Sequence, residues 1–190
     1  ANYPEARRWY SHLLLVFDRY QEAHQQIDAG IGLKPKSPIM YFGKAAIYLR
    51  ESNYNAAKEI GKKMITLDPN YVMGLDILAK SEFGLGNIED SLNLADEGLL
   101  RFNDHPMFMI SKMKAFDKLN KMKEVKRVRD LLFKKQESET VFKMYLAQGE
   151  YYLGNMDAAI LKLKQAVEDR EIYLYPIDPR YEFEKLIGTT

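Results

Sequence analysis

Ser52-Asn53-Tyr54-Asn55-Ala56-Ala57-Lys58-Glu59-Ile60-Gly61-Lys62-Lys63-Met64-Ile65-Thr66-Leu67-Asp68-Pro69-Asn70 is the stretch that decides how this chain folds. Ser-Asn opens it as a turn and Asp-Pro-Asn closes it, because proline cannot continue a helix. The residues between read as an amphipathic helix from about Tyr54 to Leu67. Upstream, Ser37 is placed to cap and Pro38 suits a first helical position, so a partner helix runs from there to about Arg50. Glu51-Ser52-Asn53 is the turn between the two.

This helix pair recurs. A shift of 34 residues lays Ala23, Ala57, Ser91, Val125 and Ala159 on one another, with Val125 the exception to a small column. Five residues earlier stands a column of turn formers: Asp18, Ser52, Gly86, Asn120 and Gly154. Two positions beyond the turn residue comes a large apolar one, in turn Tyr20, Tyr54, Ile88, Met122 and Met156. A second, mostly small column holds Ser11, Ala45, Ala79, Met113 and Ala147. Small residues are needed where helix axes approach to about 8–10 Å, because a large side chain would push them apart. A single pair cannot bury its own apolar face, so neighbours must stack to do it jointly.

The small-residue spacing, the Leu-Gly-Asn and Asp-Arg-Tyr turns and Leu67-Asp68-Pro69-Asn70-Tyr71 together resemble the tetratricopeptide repeat family. That resemblance implies an all-α, right-handed superhelical solenoid of about five helix-turn-helix repeats, over 4–37, 38–71, 72–105, 106–139 and 140–170. A C-terminal cap over 171–190 is expected, with Asp178-Pro179 opening a short helix that carries Tyr181, Phe183, Leu186 and Ile187. This tail also resembles those of repeat domains in bacterial ToxR/CadC-like transcriptional activators and in repeat-bearing adenylate cyclases. The chain begins at Ala1 rather than Met and is expected to be a fragment of a larger protein.

Composition narrows the chemistry. At 46% hydrophobic and 29% charged residues, the chain lies in the globular range. Its apolar runs, such as Leu13 to Phe17, are far too short for a membrane span, so a soluble domain is expected, cytoplasmic or periplasmic. With no cysteine, disulfides, thiolate metal sites and cysteine nucleophiles are excluded. His12, His24 and His105 lack metal-ligand spacing and read as solvated or helix-end residues. Gly84-Leu85-Gly86 lacks the third glycine of a dinucleotide loop, and Gly30 to Ser37 lacks the Gly-Lys-Ser/Thr ending of a phosphate loop. Glu82 and Glu150 occupy matching slots and read as exposed helix-edge carboxylates. Trp9 and the thirteen tyrosines read first as core. No catalytic constellation or cofactor is expected, and the chain reads as a binding module rather than an enzyme.

Charge is uneven. Lys112 to Lys135 carries ten basic residues against Asp117, Glu124 and Asp130, a local charge of +7 within a chain of net +1. Near-zero total charge argues against direct nucleic-acid binding, although Lys121, Lys123, Lys126, Arg127 and Arg129 crowd one turn and helix start.

The family resemblance implies that the first helix of each repeat lines a concave, partner-binding groove. By register its residues are Arg8 and His12; Phe42 and Arg50; Asp76, Lys80 and Phe83; Ile110, Lys114 and Lys118; Met144, Gln148, Tyr151 and Tyr152. Such a groove is cationic with apolar anchors and suits a protein or peptide partner with acidic residues. The Lys–Asn–Asn–Lys–Arg clamp of chaperone-binding relatives is not reproduced, since Gly43, Met73 and Ile77 stand at its later positions. The expected function is a protein–protein interaction scaffold or sensory module of a bacterial regulatory protein. The alternative is a small-ligand sensor in a membrane-anchored activator, with Tyr145, Tyr151 and Tyr152 forming its pocket.

Overall fold

The computed structural model describes residues 3–171 and Phe183. Among the described residues are ten α-helices and no strand. They are α1 (Pro4–Val16), α2 (Tyr20–Leu33), α3 (Pro38–Arg50), α4 (Tyr54–Leu67), α5 (Val72–Gly84), α6 (Ile88–Arg101), α7 (Pro106–Lys118), α8 (Met122–Lys135), α9 (Lys143–Tyr152) and α10 (Met156–Glu168). The second helix of every pair starts 34 residues after the last, at Tyr20, Tyr54, Ile88, Met122 and Met156. The first helices keep the same step up to Pro106, but α9 begins only at Lys143. Ser138, Thr140 and Val141 precede it, residues that favour extended or turn backbone over the first turn of a helix.

One turn joins the two helices of each pair. The residue in the turn column has positive φ every time: Asp18 at 55°, Ser52 at 56°, Gly86 at 84°, Asn120 at 55° and Gly154 at 85°. The residue after it donates its N–H back to a carbonyl five positions earlier: Arg19 to Leu14, Asn53 to Tyr48, Asn87 to Glu82, Lys121 to Phe116 and Asn155 to Glu150. This is the left-handed closure that satisfies the last carbonyls of a helix. Asp and Asn tolerate that backbone and glycine prefers it, which is why the column has this composition. Ser37 is the N-cap residue of α3 with Pro38 following, but its side chain makes no capping hydrogen bond, contrary to expectation.

The small columns are the buried seams. Ala23, Ala57, Ser91, Val125 and Ala159 are all buried, as are Ser11, Ala45, Ala79, Met113 and Ala147. Polar residues in these slots are satisfied locally. Ser91 donates to the Ala79 carbonyl at 2.8 Å, and Ser11 to the Arg8 carbonyl at 2.7 Å. The larger Val125 and Met113 belong to the packed pair α7 and α8, and both are fully enclosed.

The chain divides into two compact units, Ala1–Phe102 and Asn103–Thr190. In the first, α1 packs on α2 and α3, α3 on α4 and α5, and α5 on α4 and α6. In the second, α7 packs on α8 and α9, and α9 on α8 and α10. The expected capping helix lies outside the described residues, except for Phe183, which is buried with its ring 5.2 Å from that of Tyr151.

Candidate functional site

The first helix of each pair presents two columns one turn apart, and the 34-residue step aligns Arg8, Phe42 and Asp76 in the first unit. His12 and Lys80 stand in the column one turn on. Arg8 is buried, and its guanidinium lies 4.3 Å from the centre of the Trp9 ring, a cation–π contact. Its stem passes beside Gly43, where an added Cβ would come within 2.7 Å of Ile27 Cδ1. The absence of a side chain at 43 therefore lets α3 approach both. Burial lowers the Arg8 pKa, partly offset by Tyr71 and Glu5, but an arginine stays charged.

His12 is 6% exposed, between Trp9 (ring centroids 5.9 Å apart) and Phe42 (6.4 Å), edge to face with both. The expectation of a solvated histidine is corrected here. Burial first, and the Arg8 charge second, push its pKa down to about 4. Among the described residues neither ring nitrogen has a hydrogen-bond partner, nor does Arg8 Nε. Asp76 is wholly buried, and Lys80 Nζ lies 2.9 Å from its Oδ2 without hydrogen-bond geometry. Asp76 and Lys80 thus neutralise each other, and the cationic character of this face rests on Arg8.

The structure brings Arg8, His12 and Phe42 together and adds Trp9, which sequence reasoning placed in the core. Trp9 is 47% exposed. The signal was its position next to Arg8 on the first helix. Phe83 and Arg50 are half-buried on the same set of helices and are engaged within the chain.

In the second unit Ile110, Gln148, Tyr151 and Tyr152 are buried, Met144 and Lys114 are half-buried, and Lys118 is exposed. Tyr151 and Tyr152 meet edge to face at 5.1 Å, and Tyr151 is closed over by Phe183. Tyr145 meets His105 at 6.2 Å and Phe142 at 6.4 Å. Each of these ring contacts lies within the second unit.

Glu82 and Glu150 are corrected too, from exposed to buried. Glu82 accepts from Asn87 at 2.9 Å and pairs with Lys58 at 2.5 Å. Burial raises its pKa, but the Lys58 and Asn87 hydrogen bonds outweigh that and leave it below the usual carboxylate range. Glu150 accepts from Asn155 at 2.6 Å and faces Arg129 at 3.7 Å. Both carboxylates lock the turn of their own pair, a structural task. Among the described residues no group of three or more His, Asp or Glu side chains could hold a metal ion. No helix there is long and apolar enough to cross a membrane.

The basic run forms the outer face of α8, where Lys123, Lys126, Arg127, Asp130, Leu131 and Lys134 line a shallow depression of about 420 Å³. Arg127 is paired with Glu124 at 3.5 Å and Arg129 with Asp130 at 3.3 Å, so part of that charge is balanced on the helix itself.

Among solved structures the chain is similar to TTC0263, a thermophilic TPR protein of Thermus thermophilus. The TM-score is 0.64 at 18% identity, over 87% of this chain and 91% of that one. The fold is tetratricopeptide-like. A second similar structure is the MamA protein, with a TM-score of 0.55 at 12% identity over 92% of this chain and 96% of that one. No protein-family model and no curated protein matches the sequence.

Proposed function

We propose that this chain is a protein-interaction scaffold whose binding face, in the first unit, is the surface of α1 and α3 around Arg8, His12, Phe42 and Trp9. One observation carries the reading: a buried guanidinium nitrogen and both nitrogens of a buried imidazole lack partners beside two aromatic rings. Buried donors without acceptors are costly, by about 1–3 kcal/mol each, and a carboxylate or carbonyl from a partner relieves that. Arg8 would anchor the acceptor, and Trp9 and Phe42 would hold an apolar side chain next to it. The partner class is a peptide, extended or helical, with an acidic residue adjacent to an apolar one. Phe83 and Arg50 would extend that face by register within the first unit. In the second unit the residues of the same register are Ile110, Lys114, Lys118, Met144, Gln148, Tyr151 and Tyr152. A role as a module of a bacterial regulatory protein is the finer form of the same proposal, and its support is the resemblance of the tail.

The test is selection from a random peptide library on the whole chain, followed by titration of the selected peptides. Arg8→Met and Phe42→Ala should each weaken binding at least about tenfold, the scale of a hot-spot loss. Neutralising Lys126, Arg127 and Arg129 together should leave it unchanged. The opposite pattern would move the site to α8 and reject this reading.

A further inference from the structure

The outer side of α8 carries four cations against one carboxylate. Lys123, Lys126, Arg127, Asp130, Leu131 and Lys134 follow one another at alternating steps of three and one, a stripe about 16 Å long on one side of the helix. All six are exposed. The opposite side carries the buried Val125, Val128 and Leu132. Arg127 meets Glu124, and Asp130 meets Arg129. Among the described residues Lys123, Lys126 and Lys134 have neither a hydrogen bond nor an ion pair.

Solubility alone does not call for this arrangement. The same slots are open or half-open in all five second helices, so the stripe lies on a regular solvent side of the fold. At those slots α6 has Glu89, Asp96 and Glu97 and no cation. Charges on α4 and α6 are paired one turn apart, Lys62 with Glu59 and Arg101 with Glu97. In α8, Lys123 instead stands one turn from both Lys126 and Arg127, and like charges at that spacing repel. Lys121 at the N-cap adds a charge that opposes the helix dipole. Both features work against the helix itself, a local conflict of the kind found where a surface has a task outside the fold.

We infer that the outer face of α8 docks on the headgroup surface of an anionic lipid bilayer. The charge is complementary, and clustered lysines on one side of an amphipathic helix are what such a surface attracts. Three properties favour a bilayer over other anions. First, the cations stand on the convex side of a single helix and diverge, so they match an extended sheet of charge rather than one carboxylate. Second, Met122 and Leu131 are exposed on either flank of the stripe, and the lysine stems lie between them. Apolar flanks with charged tips fit the boundary between headgroups and acyl chains. The depression of about 420 Å³ between those stems leaves room for a headgroup. Third, the stripe has no aromatic ring to stack on a base, and the chain as a whole is only +1, which disfavours nucleic acid. This face is independent of Arg8 and Phe42, which lie in the other unit.

Co-sedimentation of the whole chain with vesicles tests this. Vesicles of phosphatidylcholine and phosphatidylglycerol in about equal amounts should bind the wild type at least about tenfold more tightly than phosphatidylcholine alone. Binding should weaken as salt rises past about 0.15 M. Lys126→Glu/Lys134→Glu should abolish it with an unchanged helical circular dichroism spectrum, since both positions are exposed. Lys62→Glu/Lys63→Glu makes the same change in net charge at exposed positions of α4 and should leave binding in place. Leu131→Ser should weaken it severalfold at constant charge. Arg8→Met should have no effect, which separates this face from the peptide site. A wild type that ignores the anionic vesicles, or binds both kinds equally, overturns the inference. So does an α4 variant that loses binding as fully as the α8 variant. Polyglutamate and duplex DNA are titrated in parallel; a chain that takes either through Lys126 and Lys134 but leaves vesicles alone overturns the inference and gives the face to that partner.

Discussion

A histidine with two unpartnered nitrogens, held between Trp9 and Phe42, has a folded-state pKa far below its ordinary value. The unfolded chain therefore binds a proton that the native one refuses. Stability from His12 is complete above the unfolded pKa of about 6.5 and falls as pH drops toward the native value of about 4. The full loss is roughly 3 kcal/mol. Glu82 acts in the same direction at lower pH, since its depressed pKa contributes stability that fades as the carboxylate protonates. His12→Gln should therefore flatten the decline between pH 7 and pH 5, measured as the urea midpoint at each pH, while leaving the part due to carboxylates. A variant with the wild-type slope would show that His12 is not the titrating group. None of this was legible in the sequence. Spacing excludes a metal site, but only three-dimensional packing reveals that Gly43 lets α3 close over this residue's neighbourhood.

At the scale of the element, the turn column was legible because backbone conformation selects composition directly. Asp, Ser, Gly, Asn and Gly at a 34-residue step are the residues that a left-handed turn tolerates, and all five adopt it. What the sequence did not disclose is how the next residue is used. Asn53 accepts a hydrogen bond from the Ala56 N–H at 3.2 Å and so caps α4. Asn87 and Asn155 make no such cap, because their amides are turned to Glu82 and Glu150. The choice follows from the residue five positions earlier, a carboxylate in the third and fifth pairs and Tyr48 in the second. In the fourth pair that position is Phe116, and Lys121 stands at the N-cap, where its positive charge opposes the helix dipole and offers no acceptor. Lys121→Asn should therefore adopt the role of Asn53 and stabilise the chain by about 1 kcal/mol. An unchanged or lower thermal midpoint would mean that the amide finds another partner in that turn.

For the whole molecule, the repeat was readable and the division into two units was not. The register runs without a gap from α6 to α7, yet the chain partitions at Phe102 and Asn103. Asn103 and Asp104 both have positive φ, 49° and 52°, a pair of left-handed residues where the other inter-pair links have none. Polar residues that tolerate such backbone look like any loop, so composition does not announce a boundary. Each unit encloses its own seams, and a stack of repeats is stabilised by its units and the interfaces between neighbours rather than by one shared core. Trp9 is the single tryptophan and lies in the first unit, so its fluorescence reports that unit alone, while circular dichroism at 222 nm reports the helices of both units. Ala57 is fully buried in the seam of α4, and an aspartate there is an uncompensated charge that should weaken the first unit by about 3 kcal/mol or more. In urea, Ala57→Asp should shift the fluorescence transition to lower concentration and leave a second dichroism transition near the wild-type midpoint. If both signals instead move together by the same amount, the two units unfold as one cooperative body, and the partition at Asn103 has no thermodynamic counterpart.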